Sequence, residues 1–240
     1  MLEIKDLSVN VWEKEILKKI SFVFEDGKNY CILGKNGSWK SSLAMTIAGS
    51  PKYQISSWDI LLDWVSLTSL SADERSKKWV FLSFQNIPEI PWVKLFEFLK
   101  AIYDVRQETP SSFMGFKKII EPLIEELWLD KEFLWRDLNV WFSWGEKRKI
   151  EILQIKLLKP KIIILDEIDS WLDVNAVRQT SELLKSINSE ENSFIIITHL
   201  FDMLEGLPIE WVVVLEQGKI GEIWDKQLMN KIKKEGFWGN

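Results

Sequence analysis

The sequence predicts an α/β fold built around a glycine-containing strand–loop–helix, and three observations carry that prediction. The first is Asn29–Gly49, NYCILGKNGSWKSSLAMTIAG. A short apolar run, Tyr30 to Leu33, breaks at Gly34 into a small polar loop, and an amphipathic run starts at Lys40. The second is Ile162–Glu167, IIILDE, a buried-strand pattern that ends in two carboxylates. The third is the alternation of such apolar strands with segments of helical period, the mark of a largely parallel sheet covered by helices.

Each element follows from its neighbours. Residues 2–12 and 20–24 alternate apolar and polar as strands, with a polar turn at Glu13–Glu15. Glu25-Asp26-Gly27-Lys28 turns the chain into the loop strand. Ser57–Val65 reads as a hairpin with turns centred on Trp58 and Trp64, Asp63-Trp64 standing where Asp-Gly is favoured. Ser71, with Glu74 three residues on, caps a short helix to Lys78, and Trp79 follows at the position of a terminating glycine. Val80–Phe84 is a strand ended by Gln85.

From Ile90 to Lys159 the period becomes helical, over Lys94–Val105, Ser112–Leu127 and Glu146–Leu158. Residues 90–159 are therefore expected to form a helical subdomain inserted between the two parts of a core, 1–89 and 160–240, within one domain. The core resumes with the strand to Asp166, a helix near Val174–Asn188, the strand Phe194–Thr198, a hairpin around Gln217-Gly218 and a C-terminal helix.

Composition narrows the function classes. Net charge is −5 over 240 residues, which gives no footprint for nucleic acid or an anionic membrane. The start, MLEIKDLSV, lacks a secretory pattern, and no apolar run is long enough to span a bilayer. Cys31 is the single cysteine, so a disulfide or multi-cysteine metal site is excluded and a cytoplasmic setting is expected. The one abnormal figure is 14 Trp against 11 Gly. Together they make 25 of 240 residues, a credible glycine content for a loop-rich fold.

The chemistry-bearing residues follow from the patterns. Gly34, Lys35, Asn36, Gly37, Ser38, Trp39, Lys40 and Ser41 match the phosphate-loop pattern G-x-x-x-x-G-K-[ST] at every position but 39. Loop amides and the helix start, through Ser42, surround phosphates; Lys40 neutralises them, and the Ser41 hydroxyl suits Mg²⁺. Asp166 is a second Mg²⁺ group, and Glu167 beside it can polarise a water. Ser143, Gly145 and the following helix start make another anion site or, more simply, an N-cap with Glu146 in the first turn. Gln85 and His199 each end a core strand, placed to sense metal and water and to meet a γ-phosphate.

The order of these motifs resembles the ATP-binding-cassette ATPases over essentially the whole chain, and most of all the SufC-type ATPases of iron–sulfur cluster assembly. The matching stretches are Phe81–Val93, Leu129–Arg136, Asn139–Gln154, Leu165–Asp173 and Ser193–Leu200. The third is the most specific, with Glu146 and the run to Gln154 where transporter cassettes carry Gln and an Arg/Ala-rich helix. The resemblance implies a RecA-like P-loop core with an antiparallel β-subdomain and an inserted helical subdomain. It implies ATP and Mg²⁺ as ligands and hydrolysis at Glu167. It further implies an ATP-dependent homodimer in which Ser143-Trp144-Gly145-Glu146 of one chain faces the P-loop of the other, with Asp173 at the seam. The partners it implies are scaffold subunits of the SufB/SufD kind, with no nucleic acid and no membrane insertion. Val9 and Val11 leave the usual adenine-stacking position without an aromatic. A transporter subunit and, if the indoles are genuine, a non-hydrolysing interaction protein are the alternatives.

In the same terms Trp39, Trp58, Trp64, Trp79, Trp92, Trp128, Trp141, Trp144 and Trp171 stand where glycine is expected. A bulky residue in glycine-only backbone costs about 1–3 kcal/mol, and an indole at 39 would obstruct the phosphate site. The expectation is that UGA codons are read as glycine in the source, the displayed chain being a translation with tryptophan.

Overall fold

The computed structural model describes residues 1–169, 172–198, 204 and 207–225. The chain opens with β1 (Leu2–Val11) and β2 (Lys14–Phe24), then β3 (Asn29–Leu33) and helix α1 (Lys40–Ile47). There follow β4 (Gln54–Leu62), β5 (Val65–Ser66), α2 (Ala72–Lys77) and β6 (Val80–Ser83). The middle of the chain holds β7 (Ile90–Lys94), α3 (Leu95–Asp104), α4 (Phe113–Glu126), β8 (Asp137–Leu138) and α5 (Trp144–Leu158). The last elements are β9 (Ile162–Asp166), α6 (Val174–Ile187), β10 (Ser193–Ile197), β11 (Ile209–Glu216) and β12 (Lys219–Asp225).

Two sheets divide the work. One is four-stranded and antiparallel, in the order β2-β1-β4-β5. The other is six-stranded, in the order β12-β11-β3-β10-β9-β6, parallel except for β12. Every residue of β3, β9 and β10 is buried. That is why these strands read as unbroken apolar runs rather than alternating ones: helices or the other sheet cover both faces. Because β3, β10, β9 and β6 run the same way, their carboxyl ends share one edge, where open α/β sheets place their ligands. One core cluster lies between the six-stranded sheet and the helices α3–α6. A second joins that sheet to β1, β2, β4 and α1.

Several elements differ from the sequence reading. The second strand starts at Lys14, so the turn is confined to Trp12 and Glu13. Trp58 is not a turn centre. It sits inside β4 at φ 60°, opposite a shift in the β1 register between Lys5 and Ser8. Asp63 and Trp64, both at positive φ, form the two-residue hairpin turn that the dipeptide pattern predicts. The short pair β7–β8 was missed because five and two residues carry no usable period. Ser71 does cap α2, and the structure adds Ser112 as the cap of α4. The C-terminal helix expected after residue 225, together with His199 and Trp171, lies outside the described residues.

The tryptophan backbone is unusual. Among the described residues, eight of twelve tryptophans have left-handed φ: Trp12, Trp39, Trp58, Trp64, Trp79, Trp92, Trp128 and Trp141, at 51° to 76°. A left-handed conformation is uncommon for any residue with a side chain and is a genuine outlier for a bulky one. Trp12, Trp92 and Trp141 are almost fully exposed, at 87%, 91% and 87%. The indoles are not all without a neighbour, however. Lys14 lies over Trp39, Arg106 over Trp79 and Lys149 over Trp128. Trp144 differs from these: it is the first residue of α5, helical and not left-handed.

Candidate active site

The loop after β3 is shaped by close approach. A Cβ on Gly34 would meet the Leu215 carbonyl oxygen at 2.3 Å, so β11 leaves room only for glycine. The loop then turns through Gly37, at φ 80°, into α1. The N-cap of α1 is Trp39, at φ 76° and ψ 27°, and its side chain makes no capping bond. No acidic residue occupies the first turn, so the helix presents its amides and the positive end of its dipole toward the loop. Ser38 Oγ is buried and has no hydrogen-bond partner. An orphaned hydroxyl inside a loop that ends in an uncapped helix start fits an anion.

Lys40 is buried, and its ammonium donates to the carbonyl oxygens of Gly34 (2.9 Å) and Lys35 (3.4 Å). Burial lowers its pKa, and the carboxylates of Glu167 and Asp166 act in the opposite direction. Ser41 Oγ donates to Asp166 Oδ1 at 3.0 Å, across 125 residues of sequence. Asp166 is 1% exposed at the tip of β9, and burial pushes its carboxyl up to about 6, the Ser41 hydrogen bond working against that rise. Glu167 follows at φ 47°, its amide bonded to the Ile197 carbonyl, and its Oε2 accepts from Gln85 Nε2 at 2.6 Å. The carboxyl ends of β3, β9 and β6 therefore bring together the P-loop, Asp166, Glu167 and Gln85.

A hydroxyl and a carboxylate at 3.0 Å form a hard-oxygen pair suited to Mg²⁺, which takes few protein ligands and completes its shell with phosphate and water. Among the described residues no group of three acidic, His or Cys side chains could hold a metal alone, in keeping with such a shared site. The residues fit the ion.

The turn before α5 lies elsewhere. Ser143 and Glu146 form a reciprocal capping box: the Ser143 amide donates to Glu146 Oε2 at 2.7 Å, and the Glu146 amide to Ser143 Oγ at 3.3 Å. In a single chain these side chains serve the helix start, the simpler of the two sequence readings. A Cβ on Gly145 would meet nothing within 4 Å. The helix packs chiefly on α3, α4 and α6, so its first turn is not part of the P-loop cluster. Asp173 is likewise an N-cap, accepting from the Ala176 amide at 2.8 Å. Cys31, buried under the loop in β3, has its thiol pushed up to about 12 by burial and stays protonated.

Sequence reasoning missed two residues beside this site. Arg148 and Glu151, both buried in α5, reach across to the end of β6. Their signal was two charges three apart among Ile150, Ile152 and Leu153, on a face that should be apolar.

Comparison with known proteins agrees with this architecture. The family model described as ABC transporter matches residues 17–170. The chain is 41% identical over 243 residues to the iron–sulfur cluster assembly protein SufC of Plasmodium falciparum (isolate 3D7), covering 99% of this chain and 70% of that protein. It is 37% identical over 244 residues to the probable ATP-dependent transporter ycf16 of Antithamnion sp., covering 99% and 96%. Among solved structures, a dimeric ATP-binding cassette bound to ADP and Pi superposes with a TM-score of 0.80 at 20% identity, covering 94% of this chain and 98% of that one. A nucleotide-free cassette superposes at 0.79 and 18% identity over 100% and 99%. These two likenesses speak for the fold alone. On its matching family model and its SufC relatives, the chain belongs to the ABC family and is a SufC-like ABC ATPase with the P-loop cassette fold.

Proposed function

We propose that the chain is the ATP-hydrolysing subunit of an iron–sulfur cluster assembly complex, in the cytoplasm, and that hydrolysis drives rearrangement of scaffold subunits of the SufB/SufD kind. The observation that carries the catalytic part is the pairing of Ser41 with Asp166 and of Gln85 with Glu167 at one sheet edge. P-loop residues Gly34–Ser42 hold the phosphate chain, with Lys40 swinging from the loop carbonyls onto phosphate oxygen. Ser41, Asp166 and Gln85 hold Mg²⁺, which when bound supplies charge neutralisation on the phosphates. Glu167 orients the attacking water and accepts its proton, and His199 steadies the γ-phosphate. The nucleotide is closed in by a second copy presenting Ser143–Glu146, with Asp173 at the seam. The chain has a single cysteine, so any cluster is built on another subunit. The 41% identity to a protein named for cluster assembly supports this reading. The relatives named as transporters support a second one, a nucleotide-binding subunit of a membrane transporter. Purification from the source separates them: co-purifying scaffold subunits without membrane spans are expected, and integral membrane partners would reverse the assignment.

The tryptophans at left-handed positions belong to the same proposal. We read them as UGA codons decoded as glycine. Eight strained indoles at about 1–3 kcal/mol each would rival a domain's whole stability of about 5–15 kcal/mol. Glycine at 39 lets backbone approach phosphate, and the catalytic roles above assume it. Peptide mass spectrometry of natively produced protein is expected to read glycine at 39, 64 and 79; indole there, or UGG in the gene, refutes the decoding.

A further inference from the structure

The sheet ladder ends two residues short of the site. Ser83 is the last residue of β6 and pairs with Leu165 of β9. The two residues that follow, Phe84 and Gln85, carry the amide side chain onto Glu167, yet they lie beyond the β6–β9 ladder. Side chains from α5 take the place of that ladder. Arg148 Nη1 donates to the Phe84 carbonyl at 2.8 Å, and Nη2 to the Gln85 carbonyl at 3.2 Å. Glu151 Oε1 accepts from the Phe84 amide at 3.2 Å, and Oε2 from Ser83 Oγ at 2.7 Å. The two charges pair with each other at 2.6 Å, 2% and 7% exposed as side chains.

Stability does not explain this pair. Removing two charges from water is expensive, and an apolar pair of similar volume is often as stable or more so. Arg148 Nε is, in addition, buried without a partner. What the pair does provide is a rigid joint, and it is not alone. Asn139 donates from Nδ2 to the Pro88 carbonyl at 3.0 Å, and Lys147 pairs with Glu89 at 2.7 Å. From Ser83 to Glu89 the chain is held by side chains of the segment 139–151, the segment that also carries the capping box at Ser143 and Glu146.

We propose that Arg148 and Glu151 are positioning residues: they lock the backbone of Phe84 and Gln85 to α5, so that whatever displaces the first turn of α5 displaces Gln85 and its hold on Glu167. Both reach Gln85 only through the backbone and side chains of Ser83–Gln85. The inference rests on the roles proposed above for Gln85 and Glu167.

The test uses the full chain with glycine at the left-handed tryptophan positions and at 144. ATPase rates are measured for Gln85→Ala, for Glu151→Gln, for the apolar double variant Arg148→Met/Glu151→Met, and for the triple combination. The double variant is expected to lower kcat by roughly ten- to hundredfold while KM for ATP stays within about twofold, since the P-loop is untouched. Its thermal midpoint is expected near that of the parent, which a purely structural role would not allow alongside lost turnover. Glu151→Gln keeps the shape and gives the same kcat-only defect should the double variant fold poorly. In the triple variant the losses are expected not to add, because both act through one contact. A double variant with parental kcat, or losses that multiply fully, overturns the positioning role. A Gln85→Ala variant with unchanged kcat instead refutes the role of Gln85, and the relay with it.

Discussion

The loop at 34–42 and the turn at 143–146 carry the same feature, a tryptophan in a motif proposed to meet phosphate, yet their backbones differ. Trp39 is held at φ 76° as an uncapped N-cap, whereas Trp144 is an ordinary first helical residue behind a complete capping box. At 39 the demand for glycine is written into the chain's own backbone. At 144, and at Gly145, whose Cβ would meet nothing within 4 Å, this chain's own packing makes no such demand. What glycine there permits is the close approach of another molecule, in accord with the proposed second copy. One motif is strained from within, and the other carries no such strain.

The sharpest way to break this contrast is nucleotide binding. Trp39→Gly is expected to raise ATP affinity by at least about a hundredfold, equivalent to roughly 3 kcal/mol, as read by isothermal titration. Trp144→Gly is expected to leave monomer affinity within a few-fold and to change only nucleotide-dependent self-association. Equal effects at the two sites would abolish the distinction.

The next effect tests the carboxylate that faces the P-loop. Asp166 titrates near 6 in the fold against 3.8 for its ordinary value. A raised carboxyl leaves the native state holding the extra proton between those values. Stability from this group is therefore full below about 4, falls as pH rises through 6, and is lost above. The amplitude is up to about 3 kcal/mol. Urea midpoints between pH 4 and 8 are expected to show this fall, and Asp166→Asn is expected to flatten that part of the profile. A profile unchanged in the variant would assign the fall to other groups.

Stability separates the two tryptophans by sign. Trp39→Gly is expected to stabilise the nucleotide-free chain by about 1–3 kcal/mol through relief of backbone strain. Trp144→Gly is expected to be neutral or to destabilise by up to about 1 kcal/mol, the helix penalty of glycine. The smallest effect concerns the capping box. Ser143→Ala is expected to lower the denaturation midpoint by about 1 kcal/mol. A much larger loss would mean that the hydroxyl does more in the single chain than cap α5.

Order along the chain was legible because it is local. The strand–loop–helix around Lys40, the strand ending in Asp166 and Glu167, and the caps at Ser71 and Ser143 all depend on residues within a few positions of one another. The surplus of tryptophan over glycine likewise led to seven of the eight described tryptophans at left-handed φ, Trp12 being the one passed over. What only the tertiary structure decided are contacts made across long stretches of chain: Ser41 on Asp166, Gln85 on Glu167, and the buried Arg148 and Glu151 standing in for a missing ladder. No periodicity encodes these, since each depends on which strands the parallel sheet sets side by side and where their ends fall. The antiparallel sheet likewise explains why Trp58 lies opposite a bulge in β1 and is not a turn, because its neighbours in β1, and not its own sequence, fix the register.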